Sequence, residues 1–156
     1  MRFLNVLIAV KDIEASKRFY KDVIGLDVEA DLGTNVTLTG GISIQTLETW
    51  KKFIQKDESD VVFGNNAGEL YFESKDIDAF CKLLNERDDI RYVHPLFEHR
   101  WGQRVVRFYD PDSHIIEVGE GIGIVVKRFI NDGLSVEETA TRMDVPVAYI
   151  EQYLVC

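Results

Sequence analysis

The feature that most constrains the fold is an internal repeat. Lys11-Asp12-Ile13-Glu14 recurs as Lys75-Asp76-Ile77-Asp78, and the same step of 64 positions places Asn5 on Glu69 and Phe19 on Leu83. Four similar letters recur by chance. The order of elements around them argues for duplication: both copies run through an apolar strand-like stretch, an aspartate suited to capping a helix, a helix-period segment, and three short strands.

In the first copy, residues 4–10 are almost continuously apolar and read as a strand covered on both faces. Residues 13–24 follow with helical spacing, Ile13, Phe19, Tyr20, Val23 and Ile24 on the inner face, and Gly25 ends the helix. Strands are expected at 27–32, 35–39 and 42–47, separated by Gly33-Thr34 and Gly40-Gly41. A charged segment with a short helix at 50–54 and the loop 64–68 lead into the second copy. That copy has a strand at 69–74, a helix at 77–86, and strands at 90–97, 104–109 and 114–118. The fold class is α+β, two βαβββ modules (about 1–48 and 68–120) forming one domain over 1–120.

Residues 121–156 have a different character, that of a small three-helix appendage resembling a helix-turn-helix. Helices are expected at 122–131, from the capping box Ser135-Val136-Glu137-Glu138 to about 143, and from Pro146 to about 155. The last has Glu151 and no lysine or arginine for phosphates or base edges, so its Val147, Ile150, Tyr153 and Leu154 are expected to pack against protein. The net charge of −9 likewise argues against nucleic acid as a partner. The apolar run near the start is interrupted at Lys11-Asp12, too early for a signal or membrane segment. Two cysteines without metal-ligand spacing fit a reducing, cytoplasmic setting.

Asp110-Pro111-Asp112-Ser113 is turn chemistry, and the strand after it carries one acid, Glu117, among Ile115, Ile116 and Val118. A lone buried carboxylate is costly. Glu117 therefore reaches solvent, pairs with Arg104 or Arg107 on the adjacent strand, or serves a site. His94, His99 and His114 make no compact ligand motif and read as surface or turn residues.

The stretch Val10 to Tyr20 with Ile24-Gly25-Leu26, then Trp101-Gly102-Gln103-Arg104 and Asp110 to Glu117, resembles the vicinal oxygen chelate superfamily, which contains glyoxalase I, bleomycin-resistance proteins and extradiol dioxygenases. The resemblance covers roughly residues 2–120 and implies a small-molecule ligand in a cleft between modules, with a homodimer as the expected assembly. Metal-using members place ligands at four positions that map to Asn5, Gln45, Glu69 and Glu117. The first-strand positions are commonly histidine there and are Asn5 and Glu69 here. The expected cofactor is accordingly none, with a divalent cation (Mg, Mn, Zn, Ni or Fe) as the alternative. Without a metal, Glu117 and Glu69 remain candidates for proton transfer or for holding a cationic ligand. Trp101, Tyr71 and Trp50 are the candidate ligand-contacting aromatics. The resemblance thus implies a glyoxalase/bleomycin-resistance-like binding protein; the alternatives are a metal-dependent lyase, isomerase or dioxygenase, and an interaction protein working through its tail.

Overall fold

The computed structural model describes residues 1–154. By its contacts the chain divides into two units, Met1–Gly68 with Tyr109–His114, and Glu69–Phe108 with the residues from Ile115 onward.

The first unit contains β1 (Val6–Val10), α1 (Ile13–Phe19), β2 (Val28–Asp31), β3 (Asn35–Leu38), β4 (Ile42–Thr46) and α2 (Leu47–Ile54). Asp12 caps α1 through hydrogen bonds from the Glu14 and Ala15 amides at 3.0 and 2.9 Å, the role its position predicts. The helix does not continue uniformly to residue 24. Tyr20–Ile24 widen into a π turn, closed by Gly25 at φ +81° and by the Leu26 amide on the Tyr20 carbonyl at 3.0 Å. The sheet order is β1-β4-β3-β2, with β1 parallel to β4 and the other pairs antiparallel. Parallel pairing of β1 with β4 requires a long crossover, which α1 and the β2–β3 hairpin provide. Val10, Tyr20, Val36, Leu38 and Ile44 form the buried centre. β1 differs from expectation: it is an edge strand, starting at Val6 rather than Leu4, with Val6 37% exposed. Its apolar run reflects only one well-covered end, at Ala9 and Val10. Leu47 opens α2 rather than ending β4, so that helix begins three residues before the expected Trp50.

The Asp110–Ser113 turn belongs to this unit. Asp110 is 1% exposed and accepts hydrogen bonds from the Tyr20 hydroxyl, the Asp112 and His114 amides, and His114 Nδ1. The Lys11 amide donates to Asp112 Oδ2 at 3.1 Å. The turn is thus tied both to the residue before the α1 cap and to the residue at the end of α1.

The second unit contains β5 (Glu69–Ser74), α3 (Ile77–Asn85), β6 (Arg91–Glu98), β7 (Arg104–Tyr109, of which Tyr109 falls in the first unit), β8 (Ile115–Glu120), α4 (Ile122–Asn131), α5 (Val136–Met143) and α6 (Val147–Glu151). The same topology returns: order β5-β8-β7-β6, with β5 parallel to β8. Asp76 caps α3 on the Ala79 amide at 2.9 Å. α3 buries Ile77 and Leu84 and sets Phe80 against Phe108 of β7, ring centroids 6.1 Å apart. β8 runs two residues beyond the expected Val118, through Gly119 and Glu120.

Helices α4–α6 share an apolar core of Val125, Val126, Phe129, Ala140, Met143 and Ile150, against which Trp101, Tyr149, Tyr153 and Leu154 pack. The Ser135–Glu138 capping box forms as expected. Pro146 is the cap of α6 rather than its first helical residue, and α6 ends at Glu151. The far end of the expected helix, at residue 155, and Cys156 lie outside the described residues. Among the described residues no helix is long and apolar enough to cross a membrane.

Candidate functional site

In the second unit, strand alternation divides the sheet chemically. Ile116 and Val118 of β8 and Phe108 of β7 are buried on the face that α3 covers. The opposite face carries Glu69, Tyr71 and Glu73 from β5, Glu117 and Gly119 from β8, Arg107 from β7 and His94 from β6. Tyr71 is 47% exposed there.

Arg107 organises this face. Its Nε donates to Glu69 Oε2 at 2.9 Å, its Nη1 lies 3.2 Å from His94 Nε2, and its Nη2 meets Glu117 Oε2. Glu117 is 6% exposed, and Arg107 is its ion-pair partner. The partner of Glu117 is therefore Arg107, one of the two arginines the sequence offered. The other, Arg104, pairs instead with Glu120 and Asp78. Because a guanidinium only donates, His94 Nε2 accepts from it. His94 then carries its proton on Nδ1, which donates to the Pro95 carbonyl at 2.8 Å. His94, read from the sequence as a surface residue, is part of the cluster. The one sequence signal for it is alternation along β6.

A second network adjoins the first. Tyr71, opposite Glu117 in the β5–β8 register, donates to Glu73 Oε1 at 3.0 Å and accepts from Gln103 Nε2 at 2.9 Å. Gln103 Nε2 also donates to the Glu120 carbonyl, and its Oε1 accepts from the Trp101 indole at 3.3 Å. Partial burial, with Glu73 acting against the bond from Gln103, pushes the Tyr71 phenol up to about 12, so it keeps its proton at neutral pH. Gly119 makes room for this arrangement: a Cβ there would stand 2.8 Å from Gln103 Nε2 and 3.2 Å from the Tyr71 ring.

Trp101 is less available than its sequence context suggested. Its indole stacks on His99, centroids 4.0 Å apart and planes 10° apart, and it packs on the α4–α6 core. Burial, then the charge of Arg107, lowers the His99 pKa, which favours the neutral ring at the stack. Trp50 sits on α2 in the first unit, partly buried.

In the first unit, Asn5 precedes β1 and donates to Ser43 Oγ at 2.8 Å. Gln45 is 1% exposed, lies opposite Ala9 and Asn35, and its Nε2 has no hydrogen-bond partner among the described residues. The two registers alter the four-position correspondence. Leu7 pairs with Ser43, and Tyr71, its repeat equivalent, pairs with Glu117. By register the counterpart of Glu117 is therefore Ser43, and that of Gln45 is Gly119. The equivalent couples are Asn5 with Ser43, and Glu69 with Glu117 through Arg107. Asn5 and Gln45 belong to the first unit and Glu69 and Glu117 to the second.

The donor set fits a divalent cation poorly. Glu69 and Glu117 already share a permanent cation, and a metal at either carboxylate would face the charge of Arg107. Among the described residues no group of three or more histidines, cysteines or acids is arranged to hold a metal.

Comparison with known proteins agrees with this architecture. Residues 3–123 match the family model of the glyoxalase-like domain. Uncharacterized protein YraH of Bacillus subtilis (strain 168) is 27% identical over 125 residues, 76% of this chain and 97% of YraH. A crystal structure of a protein of unknown function from Agrobacterium tumefaciens str. C58 is 40% identical and superposes with a TM-score of 0.70, covering 78% of this chain and 94% of that one. A glyoxalase/bleomycin resistance protein/dioxygenase family enzyme from Burkholderia phytofirmans PsJN has a TM-score of 0.67 over 77% of this chain and 98% of its own, at 18% identity, a likeness of fold alone. With the repeated βαβββ topology, these matches place the chain in the glyoxalase-like domain family, within the vicinal oxygen chelate superfamily.

Proposed function

We propose that the protein binds a small organic molecule on the polar face of its second sheet, without a histidine-based metal site. The observation that carries this reading is the exposed, ordered cluster around Tyr71. An aromatic ring 47% exposed is held in place by Gln103 and Glu73, beside Arg107 and its partners. A rigid aromatic surface with fixed polar groups suits recognition of a compact ligand. Three carboxylates, Glu69, Glu73 and Glu117, stand against one guanidinium on this face. The excess negative charge favours a neutral or cationic ligand, with Tyr71 supplying a cation–π contact of ~0.5–2 kcal/mol. Trp101 supports the site from behind, by bonding Gln103.

A thermal-shift screen of small neutral, cationic and anionic compounds tests the reading, followed by calorimetry on wild type, Tyr71→Ala and Glu73→Gln. Cationic or neutral hits weakened ~5-fold or more by Tyr71→Ala are the expected result. Confirmed ligands indifferent to both substitutions would move the site elsewhere. The homodimer is part of the same proposal, and sedimentation of the purified chain reads it directly.

A further inference from the structure

Glu73 differs from the other acids of the second sheet. Glu69 and Glu117 hold Arg107, and Glu120 holds Arg104 and Arg128. Glu73 is exposed near the end of β5, accepts from the Tyr71 hydroxyl on its Oε1, and has no ion-pair partner among the described residues. The tail brings two further tyrosines towards this acid. The Gly121 amide donates to the Ser74 carbonyl at 3.1 Å, which starts α4 directly beside Glu73. A Cβ at Gly121 would stand 3.5 Å from Glu73 Oε2, and one at Gly123 would stand 3.1 Å from Tyr153 Cδ1. Tyr153 follows α6; its hydroxyl donates to the Tyr149 hydroxyl at 3.3 Å, and the two rings meet edge to face with centroids 5.4 Å apart. Both rings are partly buried on the tail core. Hydrogen bonding with Tyr153, then burial, raise the Tyr149 pKa, and the Glu73 charge adds to them, so Tyr149 lies within electrostatic reach of that carboxylate. Tyr71 feels Tyr149 in the same way.

We infer that Tyr71, Tyr149 and Tyr153, with Glu73 as counter-charge, receive an alkylated ammonium group, and that the tail helices are thereby part of the ligand site. The inference rests on the proposed function and deepens it, naming the class of ligand and adding α6 to the residues that hold it. The class follows from which groups are already used. The Tyr71 hydroxyl is bound to Glu73 and Gln103, and the Tyr153 hydroxyl to Tyr149, which leaves ring faces for a ligand. Ring faces attract a cation through the quadrupole of the ring. A primary ammonium brings three donors, each of which needs an acceptor. A quaternary ammonium brings none, and its charge is met by the rings and by the one acid of this face that lacks a cation.

Choline and its uncharged isostere 3,3-dimethyl-1-butanol are the probes, titrated by NMR into wild type, Tyr71→Ala, Tyr149→Leu and Glu73→Gln. Circular dichroism confirms that each variant is folded. Wild type is expected to bind choline saturably and the isostere ~5-fold or more weakly, and each substitution is expected to weaken choline by ~5-fold or more. Absence of saturable choline binding to wild type overturns the inference, as does equal binding of the isostere. Choline binding that Tyr71→Ala weakens but Tyr149→Leu and Glu73→Gln leave unchanged overturns the inference and leaves the proposed function standing. Choline binding indifferent to Tyr71→Ala overturns both. If Tyr149→Leu does not fold, the exposed Glu73→Gln decides: weakened choline with an unchanged isostere supports the inference, and unchanged choline overturns it.

Discussion

The Tyr20 hydroxyl donates to Asp110 Oδ2 at 2.9 Å across 90 positions of sequence, and both groups are buried. Burial first, then the Asp110 charge, hold the phenol well above its ordinary pKa, so it remains a donor at any physiological pH. Tyr20 sits where α1 passes into the π turn, which places its hydroxyl at the Asp110–Ser113 turn. Tyr20→Phe removes one donor from a buried carboxylate and is expected to lower unfolding stability by about 1–3 kcal/mol. Urea unfolding with an unchanged m-value is the check; a loss below about 0.5 kcal/mol would mean that the remaining donors satisfy Asp110.

Glu120 should give the second unit an acid-sensitive component. Its side chain is 3% exposed and accepts from Arg104 at 3.1 Å and Arg128 at 3.1 Å. Burial pushes its pKa up, but the two arginines outweigh burial and the net shift is downward. A carboxylate with a depressed folded pKa stabilises above its unfolded value, near 4.5, and that contribution disappears as pH falls through the folded value. Glu120→Gln should therefore destabilise at pH 7 by about 1–3 kcal/mol and by progressively less below the unfolded value. Unfolding curves of both proteins from pH 7 to pH 3 read the difference; a gap independent of pH would assign the effect to packing.

Gly102 allows α4 to approach the β6–β7 loop. It has φ +91°, and a Cβ there would lie 2.1 Å from Phe129 Cζ. Arg128 Nη2 also donates to the Gly102 carbonyl at 2.5 Å. Gly102→Ala combines a disfavoured backbone with a steric clash and is expected to cost about 2–4 kcal/mol. Thermal unfolding measures the loss, and the near-ultraviolet signal of Trp101 should change with it.

Phe129 is itself the test of the tail core. Phe129→Ala opens a cavity among Val125, Met143 and Ile150 and is expected to cost about 3–5 kcal/mol. Hydrogen exchange should show α4–α6 losing protection ahead of the first unit.

The polar face offers a steric test. Gly119→Ala pushes on Gln103 Nε2 and the Tyr71 ring. It is expected to weaken any ligand that depends on Tyr71 by ~10-fold or more while lowering stability by about 1–3 kcal/mol. Calorimetry with a confirmed ligand decides; unchanged affinity would mean that Tyr71 needs no Gln103 support.

Sequence by itself determined the repeated βαβββ architecture. The reason is local: the Asp12 and Asp76 caps, the helical spacing after each, and Gly25 act within a few residues of themselves, and the repeat makes each copy evidence for the other. It also offered Arg104 and Arg107 as partners for Glu117, beside solvent and a functional site. Tertiary structure decided between them: Arg104 and Arg107, three residues apart, point to opposite faces of β7, and the sheet sets Arg107 on the face of Glu117 while Arg104 meets Glu120 and Asp78 of α3. Register decided the counterparts too. A shift of two residues between the β1–β4 and β5–β8 pairings keeps every side chain on its face but moves it along the strand, which makes Ser43 rather than Gln45 the counterpart of Glu117. His94, distant in sequence from both acids, entered the site only because three strands present their acceptors to one guanidinium.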